Sequence, residues 1–202
     1  MFKRPSQPVH VLALAVWLGL CSPAAQAAPD ARLLAAATAA QPALIETLEQ
    51  LVSIESGSGQ VDGLARMASL LEGRLQTLGL KTRRHKTVAG AGADVLIGSM
   101  TGSGRRRILL MAHMDTVYQA GILSTQPIKR EGNKLYGPGI ADDKGGIALI
   151  LHSLKILADS GWKDFDQITV LFNPDEEVGS VGSGELIASL ADQHDIVLSF
   201  EP

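Results

Sequence analysis

The sequence predicts an α/β fold, with a largely parallel sheet flanked by helices. Three observations carry that expectation. Short β-type runs alternate with helical patterns along the second half of the chain, as in strand–helix–strand units stacked in layers. The run Ile108–Ala112 is apolar throughout, as in a strand covered on both faces. The composition is globular: 202 residues, 46% apolar, 19% charged and 4% aromatic, enough for one domain with a core. It excludes a disordered tail, a collagen-like chain and a disulfide scaffold. The glycines sit in short clusters that read as turns, and no internal repeat is present.

The N-terminal segment 1–27 stands apart from this fold. Lys3 and Arg4 form a basic start, Val9–Cys21 is an apolar run, and Ala25-Gln26-Ala27 is a small-x-small site. That is the layout of a secretory signal peptide cleaved after Ala27, with a periplasmic or secreted product. An apolar run of about 13 residues is too short to cross a bilayer as a permanent helix, so no membrane attachment is expected after cleavage. Leu18-Gly19-Leu20-Cys21 resembles a lipoprotein box, but Leu20 occupies the place of a small residue.

Losing Lys3 and Arg4 makes residues 28–202 more acidic than the whole chain, whose net charge is −3. An acidic chain argues against nucleic acid as a partner. Lys81–Lys86 and Arg105–Arg107 are short, lack interleaved aromatics and read as solvated surface. Cys21 is the only cysteine, so residues 28–202 can form no disulfide and offer no thiolate.

Leu44, Leu48, Leu51 and Val52 recur at helical spacing after Pro42, which suits a first helical turn. Ser53–Gly59 interrupts the pattern. Leu64, Met67, Ala68, Leu71, Leu75 and Leu78 form a second stripe, and Gly79 stands where a C-terminal cap belongs. Strand-like runs follow at Leu80–Lys86, Asp94–Ile97 and Ile108–Ala112. Gly146–Ala158 is a helix apolar almost all round and therefore mostly buried. Gln167–Phe172 reads as a strand, Gly184–Ala191 as a helix and Ile196–Phe200 as another buried strand.

The chemistry-bearing residues fall where these strands end. Ile108–Ala112 runs into His113-Met114-Asp115, Gln167–Phe172 into Asp175-Glu176-Glu177, and Ile196–Phe200 into Glu201. Parallel strands bring their C-terminal ends to one sheet edge, where open α/β folds bind ligands. Asp142 and Asp143 add two acids at a helix start. Either alone reads as an N-cap, Glu176-Glu177 alone as solvated loop, and His113 alone as a satisfied buried histidine. Together they form a crowd of carboxylates around one imidazole, which needs a cation to offset the repulsion. A histidine with Asp and Glu ligands suits Zn²⁺ and its neighbours, whereas an all-oxygen cage suits Ca²⁺ or Mg²⁺.

Four motifs appear in order: His113-Met114-Asp115-Thr116-Val117, Gly137–Gly146, Asp175–Ser180 and Ser199-Phe200-Glu201-Pro202. They resemble the co-catalytic zinc peptidases that include glutamate carboxypeptidase, acetylornithine deacetylase and succinyl-diaminopimelate desuccinylase. The resemblance runs from about Gln41 to Pro202 and leans toward the secreted bacterial glutamate carboxypeptidases. It implies two Zn²⁺ ions bridged by Asp142, with His113 and Glu177 on one ion and Glu201 on the other. It further implies Glu176 as the general base, Asp115 as the residue that orients His113, and a cis peptide at Asp142–Asp143.

The implied activity is hydrolysis of an amide next to a free carboxylate, releasing C-terminal glutamate from N-acyl or peptidyl (folate-like) substrates. The alternatives are N-deacylation of an amino acid and a non-catalytic metal-binding role. The resemblance also implies a second metal histidine, a lid or dimerisation domain beyond Glu201, and a homodimeric full-length protein. His85, His152 and His194 do not substitute for that histidine. Residues 28–202 therefore read as the N-terminal part of the catalytic domain. A dinucleotide site at Gly137-Pro138-Gly139 fails, because the run is not G-x-G-x-x-G.

Overall fold

The computed structural model describes residues 30–87 and 92–202, so the expected leader lies outside the described residues. Helix α1 spans Ala31–Val52. The Asp30 carboxylate caps it, accepting the N–H groups of Arg32 and Leu33 at 2.8 and 3.3 Å. Pro42 therefore lies inside the helix and not in its first turn. The cap and the alanines of 35–40 start the helix well before the proline, which then removes a single backbone hydrogen bond.

Helix α2, Val61–Thr77, ends as its sequence predicts. Gly79 adopts φ +86°, its N–H bonds to Gln76 O at 2.9 Å, and Leu80 N–H bonds to Leu75 O at 3.0 Å. These two bonds satisfy the last carbonyls, and only glycine takes that backbone conformation without strain.

Strands β1 (Lys81–His85), β2 (Val95–Thr101) and β3 (Arg107–His113) follow. After them come the single turn α3 (Ile122–Thr125) and the small hairpin β4 (Lys129–Glu131) and β5 (Lys134–Tyr136). The chain continues with α4 (Lys144–Asp159), β6 (Gln167–Asn173), α5 (Gly184–Ala191) and β7 (Ile196–Ser199).

The main sheet has the order β1-β2-β6-β3-β7. It is mixed: β6, β3 and β7 are parallel neighbours, whereas β2 pairs antiparallel with both β1 and β6. The connection 86–94 is short, and a short link joins antiparallel strands, since parallel pairing needs a crossover.

Side chains alternate across the sheet with period two. Leu96, Leu110, Ala112, Val170 and Phe172 face the larger core, with Leu51, Leu64, Met67, Leu71, Leu75, Ile147 and Ile150 of α1, α2 and α4. Val95, Ile97, Leu109 and Leu171 face the other side and meet Leu190 of α5. Fully burying one leucine such as Leu64 contributes roughly 2 kcal/mol, so the stripe on α2 docks it firmly.

Strand β7 differs from its expected burial. All four of its residues are exposed, because it pairs on one side with β3 and, among the described residues, nothing pairs with its other edge. In α4, Leu149 is 48% exposed, so that helix is buried on one broad face and not all round.

Candidate metal centre

Three parallel strands carry acids or histidine to one edge of the sheet. β3 ends at His113, and Met114 N–H bonds across to Asn173 O at 2.7 Å, which ties this end to β6. Phe200 N–H bonds to Met111 O at 2.9 Å, which brings Glu201 beside His113. After β6 the chain makes a tight turn at Glu176–Val178. Asp175, fully buried, holds that turn by accepting the N–H groups of Gly182 and Ser183 and the Ser183 hydroxyl.

His113 is at the centre, 1% exposed. Its Nδ1 lies 3.1 Å from the Asp115 carbonyl oxygen and 3.3 Å from Asp115 Oδ1. Its Nε2 lies 2.9 Å from Asp142 Oδ1, 3.8 Å from Glu201 Oε2 and 4.0 Å from Glu176 Oε2. Burial alone would push the imidazole down. The Asp115 hydrogen bond and the charges of Asp115 and Asp143 outweigh it, and the group is raised to about 9.

Asp115 is buried and takes four partners. Oδ1 faces His113 Nδ1 and accepts Glu176 N–H at 3.0 Å. Oδ2 accepts the Ser58 hydroxyl at 2.8 Å and Glu177 N–H at 3.1 Å. Burial would raise this carboxyl, but the His113 and Ser58 hydrogen bonds hold it below its ordinary value. One side chain thus anchors both the imidazole and the turn that carries the two glutamates.

Asp142 and Asp143 are joined by a cis peptide and divide their roles. Asp142 is exposed and points at His113, whereas Asp143 is buried and caps α4, accepting Gly146 N–H at 3.1 Å. Asp143 Oδ2 also accepts His113 N–H at 3.4 Å. Burial, followed on the raising side by the Glu201 charge, pushes its carboxyl up to about 7.

The donor set suits a cation. Ligand atoms of His113, Asp142 and Glu201 all lie within 4.8 Å of one another. Glu177 and Glu201 are both pushed above the ordinary carboxylate value, first by burial and then by neighbouring acids, Asp142 for Glu177 and Glu176 with Asp142 for Glu201. A divalent ion relieves that repulsion, and one imidazole with carboxylates is a set that zinc accepts.

The gathered group contains three of the four metal ligands that the resemblance implies. Glu201, and not Glu177, stands with His113 and Asp142. Strand β7 hydrogen-bonds directly to β3, whereas Glu177 is anchored through its backbone and shares with Asp142 a hollow lined by Val117, Tyr118 and Ala141.

Residues 109–201 match the peptidase family M20/M25/M40. Carboxypeptidase G2 of Pseudomonas sp. (strain RS-16) is 49% identical over 202 residues, covering 98% of this chain and 48% of that protein. The chain thus resembles peptidases of family M20/M25/M40 along most of its length. Acetylornithine deacetylase of Proteus mirabilis (strain HI4320) is 31% identical over 173 residues, covering 80% of the chain and 43% of that enzyme. Among solved structures, a tripeptidase of Staphylococcus aureus superposes with a TM-score of 0.65 at 26% identity, over 79% of this chain and 43% of that one. The chain spans about half the length of these relatives.

Two residues beside the candidate centre escape a sequence reading. Lys144 is 2% exposed, donates to Ile54 O at 2.8 Å and is lowered to about 8 by burial. Its place next to Asp143 was visible, but not its burial, because a lysine at a helix start reads as solvated. Ser58 lies in a stretch of small loop residues with no periodic signal at all.

Proposed function

We propose that the protein is a zinc-dependent hydrolase that releases C-terminal glutamate from N-acyl or peptidyl (folate-like) substrates. The observation that carries this reading is the 49% identity to carboxypeptidase G2 across nearly the whole chain. The clustered His113, Asp142 and Glu201 support it. In this reading His113, Asp142, Glu177 and Glu201 would together hold two zinc ions. When bound, zinc supplies Lewis acidity at the amide carbonyl and makes water acidic near neutral pH.

The chain's own residues then have distinct tasks. Asp115 holds Nδ1 of His113, so that Nε2 stays aimed at the ligand cluster. The same carboxylate fixes the Glu176 and Glu177 N–H groups, which sets the two glutamates apart in direction. Glu176, half-exposed with Oε2 4.0 Å from Nε2, is the general base. It takes a proton from the attacking water while oxygen bonds to the carbonyl carbon, and returns it to the nitrogen as the C–N bond breaks.

The test is zinc-loaded protein offered an N-acylglutamate and N-acetylornithine in parallel. Glutamate release with little attack on N-acetylornithine supports the reading. The reverse preference assigns the chain to deacylation, which the 31% identity to acetylornithine deacetylase favours as the second reading. Zinc uptake with neither product points to a non-catalytic metal-binding role.

Export is part of the same proposal: cleavage after Ala27 delivers the protein to the periplasm or medium. N-terminal sequencing of exported protein should begin at Ala28, and a start at Cys21 would indicate a lipoprotein instead. The full-length protein is proposed to be a homodimer.

A further inference from the structure

We propose that Ser58 is a positioning residue of the metal centre: its hydroxyl locks the Asp115 carboxylate, and through it the aim of the His113 ring. The inference rests on the metal-centre reading above.

The loop between α1 and α2 is bound to the segment after β3. Ser58 N–H bonds to Thr116 O at 3.0 Å, Thr116 N–H to Ser56 O at 3.0 Å, and Gln60 Nε2 to Tyr118 O at 3.0 Å. Gly57 lies against Tyr118 O, with no room there for a Cβ. The loop is therefore laid along residues 115–118 at backbone distance, and the Ser58 hydroxyl arrives 2.8 Å from Asp115 Oδ2.

A carboxylate offers about four acceptor sites, and those of Asp115 are all used. Each oxygen has two neighbours: His113 Nδ1, 3.3 Å away and also 3.1 Å from the Asp115 carbonyl oxygen, and Glu176 N–H on Oδ1, Ser58 Oγ and Glu177 N–H on Oδ2. Of these four, the Ser58 contact is the one that comes from outside the proposed ligand and base segments. It supplies a fixed reference against which the carboxylate plane is set. Without it, Oδ2 keeps a single donor and the carboxylate can turn about its bond to Cβ. The Glu176–Glu177 turn then loses definition, and the ring keeps the Asp115 carbonyl contact while losing a fixed carboxylate beside Nδ1. Outer hydrogen bonds of this kind typically govern metal affinity by about 10- to 100-fold.

The experiment measures zinc affinity of the full chain by competition with a chromogenic chelator. It compares the parent, Ser58→Ala, Ser58→Thr, Asp115→Asn and the double variant Ser58→Ala/Asp115→Asn. Ser58→Ala is expected to weaken zinc about 10-fold with an unchanged circular-dichroism spectrum, and Ser58→Thr, which keeps the hydroxyl, to stay within about 2-fold of the parent. In the Asp115→Asn background, removal of Ser58 should add less than about 2-fold, because the route through the carboxylate is already cut.

An alanine variant that binds like the parent overturns the proposal. So does equal weakening by alanine and threonine, which indicates loop packing, or full additivity with Asp115→Asn. The ring ¹⁵N resonances of His113 in metal-free protein give a zinc-independent readout. They should move in Ser58→Ala and stay in Ser58→Thr, and unchanged resonances in the alanine variant also overturn the proposal. A parent chain that binds no zinc while these resonances shift as expected would count against the metal-centre reading alone.

Discussion

His113 meets carboxylates at both ring nitrogens, and this decides how protons and metal compete for it. Its raised value of about 9 means that the metal-free site holds an imidazolium through the neutral range. The sign of the linkage follows. Protonated His113 stabilises the metal-free fold fully below pH 6.5, and that contribution is lost as pH rises through about 9. Zinc needs the lone pair that the proton occupies, so binding at neutral pH should expel close to one proton from this ring. Calorimetry in buffers of different ionisation enthalpy measures that release. Apparent zinc affinity should keep rising up to about pH 9 and not level off near 6.5. A plateau near 6.5 would show that Asp115 and Asp142 do not hold the proton.

The two neighbouring glutamates give a second expectation at this scale. Glu176→Gln should retain zinc and lose turnover by roughly 100-fold or more, since the amide keeps the shape and cannot take a proton. Glu177→Gln should lose zinc. Equal metal loss in both, read by metal analysis after dialysis, would show that the roles are wrongly divided. Their separation depends on Asp115, which grips both N–H groups.

At the scale of elements, the site depends on how helices start and stop. Asp143 caps α4 and so fixes where Asp142 can sit. The end of α2 is set by Gly79, whose φ of +86° closes the last turn. A Cβ at Gly79 meets nothing within 4 Å, so Gly79→Ala tests backbone conformation alone. It should destabilise the fold by about 1 kcal/mol in chemical denaturation and leave zinc affinity unchanged. A loss of several kcal/mol would mean that the Leu75–Leu80 packing depends on that turn as well.

Across the whole molecule, the sheet is protected unevenly. β7 exposes Ile196 at 40%, Val197 at 41% and Leu198 at 48%, beside backbone groups with no strand partner among the described residues. An apolar, unguarded edge is a template for pairing with another chain. Residues 28–202 should therefore self-associate over about a tenfold rise in concentration, and Val197→Lys should suppress this, because edge lysines block strand addition. Sedimentation velocity of both proteins checks it. A monomeric parent chain would show that the edge is covered in solution.

Much of this architecture was legible because it is local. Apolar spacing marked α2 and α5, Gly79 marked a cap, and the hydrophobic runs marked β3 and β6 nearly to their ends. The strand-end rule then pointed to His113, Glu176, Glu177 and Glu201 at one edge, a helix start added Asp142, and the four motifs carried the resemblance to a family before any coordinates were needed. Three points were not legible. Pro42 marked the wrong helix start, since a proline signal cannot reveal that Asp30 already caps the helix. Burial of β7 was misjudged, because an apolar run is the same whether its neighbours cover it or not. The carboxylate that gathers with His113 and Asp142 depended on which strand lies next to β3.

By itself the sequence determined the residue types of the site, their order, the helices and strands that carry them, and the family. The elements follow from periodicity and capping, which act over a few neighbouring residues, and the family follows from the resemblance of four short motifs. Only the tertiary structure decided that β7 lies beside β3, that Lys144 is buried, and that Ser58 reaches Asp115 from 57 residues away. Contacts of that kind arise when the helices close over the sheet, and chain order carries no direct signal of them.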